Sequence, residues 1–167
     1  MSDQEQKNIE LVKKGYEAFS AGDVDTVMSL FDDNIEWVQP GDSAISGTYH
    51  GKAELGEYLS RLAEKSVTVK LNRLLADGDT VVALTEVTVG YERGQDADVF
   101  TLRGGKTVRV QVHTDTAVME RVYGTAGSTS RQVSRTACPT RGDAPRNRVG
   151  PSSLASIRPC GRLGCLS

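Results

Sequence analysis

The amino-acid sequence predicts an α+β fold in which three helices pack on one side of a curved antiparallel sheet. Three observations lead to this prediction. Two segments with helical spacing of apolar residues open the chain, a short strand and a third helical segment follow, and from residue 66 onward the apolar period changes to two. A sheet that curls away from its helices leaves a cone-shaped space with an apolar interior, where small molecules commonly bind.

The first two helices are predicted from apolar spacing and from a capping signal. The stretch NIELVKKGYEAFSAGD ends near Gly22 and has one apolar face, made of Ile9, Val12, Tyr16 and Phe19. Asp23 can then cap a second helix, which closes at Asp32 and Asp33. We expect this helix to turn four residues inward: Val24, Val27, Met28 and Phe31.

A strand, a loop and a third helix are predicted next. Residues 35–38 form a short strand that Pro40 and Gly41 stop. The Gly- and Ser-rich residues 41–51 are predicted to be a loop. The stretch KAELGEYLSRLAEK then places its apolar residues on one face of a helix: Leu55, Tyr58, Leu59 and Leu62.

Four strands with a period of two follow the third helix. Their sequences are SVTVKLNRLLA, TVVALTEVTVGY, DADVFTLR and TVRVQVHTDTAVM, and turn signals at residues 77–79 and 104–105 separate them. Strands joined by such short turns form a meander of four antiparallel strands.

The chain divides into a domain, residues 1–124, and a tail, residues 125–167. The tail holds four of the five prolines and no aromatic residue, so we predict that it is disordered. It also has seven Arg and no Lys, which resembles a GC-rich gene translated in a shifted frame, a hypothesis that sequencing of the encoding DNA tests. The three thiols in the tail match neither a zinc site nor a disulfide framework: Cys138, Cys160 and Cys165.

Charge and hydropathy exclude several classes of partner. Residues 1–124 carry 13 Lys+Arg against 21 Asp+Glu, and so acidic a domain is a poor binder of nucleic acid. No apolar run approaches the roughly 20 residues of a membrane span, so we expect no membrane partner. The polar opening MSDQEQKN has no apolar signal-peptide stretch, and we therefore expect a cytoplasmic protein.

Several stretches together resemble a known family. They are the AGDVDTVMSLFDDNIEW run, the ISGTYHGKAEL entry to the third helix and the closing GGKTVRVQVHTDTAVMERVYG. Residues 5–124 are similar to a SnoaL-like domain of the nuclear transport factor two-like superfamily, whose relatives include ketosteroid isomerase, limonene epoxide hydrolase and polyketide cyclases. The resemblance implies the cone-shaped, cystatin-like fold. It leaves the function open, because this fold hosts isomerases, hydrolases, cyclases and binding proteins.

Ketosteroid isomerase, a documented case, moves a proton with a carboxylate base while a Tyr and a neutral Asp donate hydrogen bonds to the enolate. The resemblance places the tyrosine at Tyr16 and the aspartic acid at Asp98. It places the base at Val38, which cannot take a proton. Glu36 offers a replacement, because residues 36 and 38 share a face of their strand.

Each of these residues also has a structural interpretation. Tyr16 could be a core residue, and Asp98 a solvated carboxylate at a strand start. Glu36 could pair with an Arg or Lys across the sheet. Trp37 has the opposite parity from Glu36 and could serve as a packing anchor or as a wall on which a ligand stacks.

The remaining candidate pocket residues are mainly apolar. Limonene epoxide hydrolase has polar catalytic residues at positions that correspond here to Val87, Val89 and Val112, so its water-activating group is absent. We expect the following residues to contact a substrate: Trp37, Val38, Tyr58, Val87, Val89, Phe100, Val110 and Val112.

His113 and Asp115 lie on the face of the last strand opposite to that of Val112, and we expect them to miss the pocket. Asp115 is expected to accept backbone N–H bonds. His50 precedes the third helix and could edge the mouth of the pocket. The two histidines are far apart and have no carboxylate motif beside them, so we predict no metal and no cofactor.

Two functions follow from this sequence. One is cofactor-independent proton transfer, of isomerase or cyclase type, on a small apolar carbonyl or polyketide-like molecule, with Tyr16, Asp98 and Glu36 as catalytic residues. The other is a noncatalytic protein that binds an apolar ligand or acts as a dimerising scaffold. In both, the open face of the sheet is expected to be covered in a homodimer.

Overall fold

The computed structural model describes residues 1–127, which form four helices and six strands. The helices are α1 (Asp3–Ser20), α2 (Val24–Ser29), α3 (Gly51–Ala63) and α4 (Thr116–Tyr123). The strands are β1 (Phe31–Gln39), β2 (Gly47–His50), β3 (Val67–Asp77), β4 (Thr80–Val89), β5 (Glu92–Arg103) and β6 (Lys106–His113).

All six strands form one sheet in the order β2-β1-β6-β5-β4-β3. The pairs from β3 to β6 are antiparallel neighbours, which confirms the predicted meander and the α+β fold class. One pair differs from the predicted antiparallel sheet, because β1 runs parallel to β6. Because of this pairing, β1 and its residue Trp37 lie near the edge of the sheet that is farthest from β3.

Irregularities in the strand register bend the sheet around the apolar core. The pairing shifts between Leu71 and Arg73 in β3 and between Thr107 and Arg109 in β6, so that one residue in each of these strands is extra. Extra residues of this kind bend a strand and increase its twist. The sheet curves around an apolar core that α1 closes against β3 and β4 and that α3 closes against β1.

Three local predictions were wrong. Phe31 begins β1 rather than ending α2, and Val24 is 57% exposed, since a helix of six residues buries little more than Val27. The predicted loop of residues 41–51 contains β2, which pairs with β1.

The last predicted strand is also too long, because it ends at His113 and a fourth helix follows. The Asp115 side chain accepts hydrogen bonds from the backbone N–H of Ala117 at 3.0 Å and of Val118 at 3.3 Å. This cap starts α4 and confirms that Asp115 receives backbone N–H bonds.

The ordered chain continues past Gly124, since Thr125 forms a bridge with Ser43. The predicted disordered tail lies outside the described residues from residue 128 onward, and so do Cys138, Cys160 and Cys165. Within residues 1–127, none of the helices combines the length and the apolar character that a membrane crossing requires.

Helix α1 is fastened to the turn between β3 and β4. The buried Asn8 donates from Nδ2 to the carbonyl oxygen of Gly78 at 3.1 Å and accepts from Gln4 Nε2 at 3.0 Å. The Glu5 carboxylate accepts from the Gly78 N–H at 3.1 Å. These contacts join the start of α1 to the sheet and so help to fix the helix that carries Tyr16.

We expect Asn8→Ala to lower the free energy of unfolding by about 1–3 kcal/mol, because it leaves a backbone carbonyl without its partner and a gap in a buried position. Urea denaturation measures the change. Lys13→Ala on the exposed side of α1 is the control and should change stability by less than about 1 kcal/mol. Equal stability of the two variants would contradict the fastening role of Asn8.

Candidate functional site

A cavity lies between the helices and the concave face of the sheet. Its volume is about 110 Å³, measured as the space open to the centre of a water molecule. Most of its walls are apolar side chains from α1, α2, α3 and the strands, among them Leu11, Phe19, Leu30, Leu59, Val69, Val87, Phe100 and Val112. A cavity with such walls favours a compact apolar ligand.

Tyr16 and Asp98 meet at this cavity, although 82 residues separate them in sequence. The Tyr16 hydroxyl donates to Asp98 Oδ2 at 2.6 Å. The Tyr16 ring packs edge-on against Phe100, with 5.9 Å between the ring centroids. The helix and the strand therefore bring together the two groups that sequence analysis singled out.

The apolar surroundings control the protonation of this pair. Burial raises the pKa of Asp98 to about 7, while the Tyr16 hydrogen bond partly offsets the rise and the nearby Asp96 adds to it. Burial and the Asp98 charge raise the pKa of Tyr16 above its ordinary range, so Tyr16 remains a proton donor. Asp98 Oδ1 is buried and has no hydrogen-bond partner among the described residues.

A second carboxylate, Asp96, also lines the cavity and was missed by sequence analysis. It lies two residues before Asp98 on β5, so the same strand parity that groups Asp98 with Phe100 would have found it. Burial raises the pKa of Asp96, the Thr114 side chain partly offsets this effect, and Asp115 adds to it. Asp96 Oδ1 has no hydrogen-bond partner within residues 1–127.

The prediction that Glu36 projects into the pocket is wrong. Trp37 lines the cavity, and its neighbours Glu36 and Val38 therefore lie on the other face of β1. Glu36 Oε1 accepts from Arg109 Nε at 2.6 Å, on a side of the sheet where both side chains are partly exposed. The alternative interpretation of Glu36, a partner for a cation across the sheet, describes this geometry.

Gln39, which sequence analysis also missed, shares the inward face with Trp37. It is 2% exposed, and its Oε1 accepts from the Tyr58 hydroxyl at 2.8 Å. The Trp37 ring stands next to Phe31 and Tyr58, with ring centroids 6.1 and 5.4 Å away. Alternation along β1 would have indicated Gln39 if the inward parity of Trp37 had been known.

The other predicted contact residues divide into two groups. Tyr58, Val87, Phe100 and Val112 line the cavity together with Trp37. Val89 and Val110 are buried in the core but do not reach the cavity wall, and Val38 faces away from it. His113 is exposed, and neither it nor His50 lines the cavity.

The described part of the chain contains no group of three or more His, Cys, Asp or Glu side chains placed to hold a metal ion. The chemistry that its residues offer is acid and base chemistry. Two carboxyls with raised pKa values on one strand, next to an apolar chamber, are groups that can donate and accept protons.

Comparison with solved structures finds the same fold in other proteins. Bal32a, from a soil-derived mobile gene cassette, matches with 26% identity and a TM-score of 0.68, over 72% of this chain and 99% of its own. A protein from Jannaschia sp. CCS1, provisionally assigned as a SnoaL-like polyketide cyclase, matches at 18% identity and a TM-score of 0.63, over 74% and 96% of the two chains.

A protein from Kribbella flavida DSM 17836, provisionally assigned as a ketosteroid isomerase, matches at 18% identity with a TM-score of 0.61, over 67% of this chain and 80% of its own. No curated protein matches the sequence. The sequence profile of the SnoaL-like domain matches residues 12–112, which include both Tyr16 and Asp98. The chain belongs to the SnoaL-like domain family.

Proposed function

We propose that the protein is a cofactor-independent enzyme that transfers a proton within a compact apolar carbonyl compound, in a reaction of isomerase or cyclase type. The observation that carries this proposal is the Tyr16–Asp98 hydrogen bond in an apolar cavity, which leaves Asp98 Oδ1 buried and unpaired. Perturbed carboxyls in a cleft are typical of functional sites. The provisional assignments of the solved relatives are compatible with this chemistry.

The two carboxyls take different roles in this mechanism. Asp98, whose pKa burial raises to about 7, acts in its protonated form and donates a hydrogen bond from Oδ1 to the carbonyl oxygen of the substrate. Tyr16 binds Asp98 Oδ2 and keeps the carboxyl in this orientation. Asp96, whose Oδ1 is also buried without a partner among the described residues, acts in its ionised form as the base that Val38 and Glu36 do not supply.

For a β,γ-unsaturated ketone the step balances without a co-reactant. Asp96 removes a proton from the carbon between the carbonyl and the double bond, and the electron pair moves onto the carbonyl oxygen. Asp98 stabilises the resulting dienolate by its hydrogen bond. Asp96 then returns the proton to the far alkene carbon, which yields the conjugated ketone.

A second candidate function is noncatalytic binding of an apolar ligand. Strand β1 favours this function. It presents an indole and an amide to the cavity, at Trp37 and Gln39, whereas a ketosteroid isomerase has its carboxylate base at the position that corresponds to Val38. Binding of a ketone without any turnover would support this second function.

We also propose that the protein is a homodimer that pairs through the outer face of its sheet. Cross-strand partners place Leu75, Val82 and Val99 in one row on this face, next to Leu84. Leu75 is 44% exposed and Leu84 is 37% exposed, which leaves an apolar stripe open to water.

We expect Asp96→Asn to lower kcat for the isomerisation of cyclohex-3-enone by about 10²–10⁴-fold, because an amide cannot accept the proton. The appearance of the conjugated enone, followed by ultraviolet absorbance, measures the rate. Glu92→Gln, on the same strand but paired with Arg121 at the surface, is the matched control and should retain wild-type activity. Equal rates in wild type and Asp96→Asn would remove this mechanism.

We expect the stability of the wild type to fall relative to that of Asp98→Asn as pH rises from about 4 to about 7. The pKa of Asp98 is raised to about 7 in the folded state, so between these pH values the unfolded chain has released a proton that the folded protein still holds. Urea denaturation at a series of pH values measures the difference. If the free energies of unfolding of the two proteins change with pH in the same way, the Asp98 carboxyl is not desolvated in the folded protein.

We expect Leu84→Glu to convert the dimer into a monomer, because it places a charge in the apolar stripe. Sedimentation velocity measures the change. Tyr91→Glu is the control, since Tyr91 is fully exposed in the turn between β4 and β5 and lies off the stripe. A wild type that sediments as a monomer would overturn the dimer proposal.

A further inference from the structure

The end of the cavity at β1 contains a buried hydrogen-bond donor that nothing in the fold uses. Gln39 is 2% exposed and lines the cavity, and its Nε2 has no hydrogen-bond partner among the described residues. Nearly all buried polar groups in folded proteins are paired, so an unpaired amide at a cavity wall indicates that a bound molecule supplies the partner.

Tyr58 contacts the oxygen end of the Gln39 amide. Its hydroxyl donates to Gln39 Oε1 at 2.8 Å. Burial raises the pKa of Tyr58, with a smaller offset from the nearby Trp37 N–H, so the hydroxyl stays protonated and keeps donating. The amide oxygen therefore has a partner, and the amide NH₂ is the group left without one among the described residues.

Trp37 adds a second donor at the same end. Its ring lies 5.4 Å from that of Tyr58, and it precedes Gln39 by two residues on the inward face of β1. The indole N–H approaches the Tyr58 oxygen, but no hydrogen bond of ordinary geometry joins them, and Nε1 remains without a partner within residues 1–127. Both free groups are N–H donors, so this end matches a ligand oxygen that accepts.

The register of the sheet relates this end to the acid pair. Val38 pairs with Gln111 on β6, and Val112 pairs with Asp98 on β5, so Gln39 lies in one row with Val112 and Asp98. Two strand spacings of roughly 4.8 Å separate the backbones of Gln39 and Asp98. Both side chains line the cavity, and a single six-membered ring with oxygens on opposite sides is of a size that matches this separation.

We propose that the Gln39 amide, held by Tyr58, recognises a second oxygen of the ligand, and that the ligands of this cavity are compact rings with a carbonyl at Asp98 and an acceptor oxygen across the ring at Gln39. The inference rests on the proposed function only in placing the ligand in this cavity. It concerns binding and does not require turnover.

Cyclohexane-1,4-dione and cyclohexanone are the matched probes, since they differ mainly in the second oxygen. Trp37 is the only tryptophan of the chain and lines the cavity, so its fluorescence reports binding of both. The wild type should bind the dione at least about tenfold more tightly than the ketone, the discrimination expected of one buried hydrogen bond. Gln39→Leu should reduce this ratio to about one while leaving cyclohexanone affinity within a few-fold.

Gln39→Met is the second variant, because it keeps a similar length and removes the NH₂ donor without adding an ionisable group. It should also lose the preference for the dione. Unchanged binding of cyclohexanone by either variant shows that the cavity is intact.

A wild-type ratio near one would overturn the proposal and would indicate that water satisfies Gln39. A preference that survives Gln39→Leu, or a wild type that does not bind the dione at all, would also overturn it. A preference that depends on Gln39, without turnover of cyclohex-3-enone, would sustain this proposal and refute the proposed enzymatic function.

Discussion

The site depends on the desolvation of one carboxyl group. Asp98 is placed by β5 among apolar side chains, where its charged form loses the solvation of water, and the Tyr16 hydroxyl returns only part of that stabilisation. The balance brings the pKa of Asp98 close to neutral. A carboxyl in water would be ionised at this pH, so the apolar walls are as much a part of the chemistry as the acid itself.

The fold keeps that chamber open by curvature. Shifts in register bend β3 and β6, and α1 lies against β3 and β4, fastened at its start by Asn8. Tyr16 then reaches Asp98 from the helix side at hydrogen-bond distance. A flat sheet would let the helices pack directly onto it and would fill the space with hydrocarbon.

The polar groups inside the chamber lower the stability of the protein. Unpaired atoms of Asp96, Asp98, Gln39 and Trp37 are buried, and each lacks the partner it would have in water. A core selected for stability alone would replace them with apolar side chains of similar size. Their grouping at two ends of one cavity supports the proposal that the cavity binds a ligand, since function is the usual reason for keeping such groups.

The sequence by itself determined the fold class, the meander and the Tyr16 and Asp98 pair, because apolar periodicity and turn residues are local properties and the family resemblance supplied the two positions.

Parity along β1 showed that Glu36 and Val38 share a face, but it could not show which face. Only the tertiary structure decided that. The parallel pairing of β1 with β6 places Arg109 beside Glu36, and the packing of α3 on β1 places the Tyr58 ring beside Trp37. Burial of the large apolar surface of Trp37 is favourable, whereas burial of the Glu36 charge is unfavourable, so β1 turns Trp37 inward. Gln39 lies on the same face of the strand and is therefore turned inward as well.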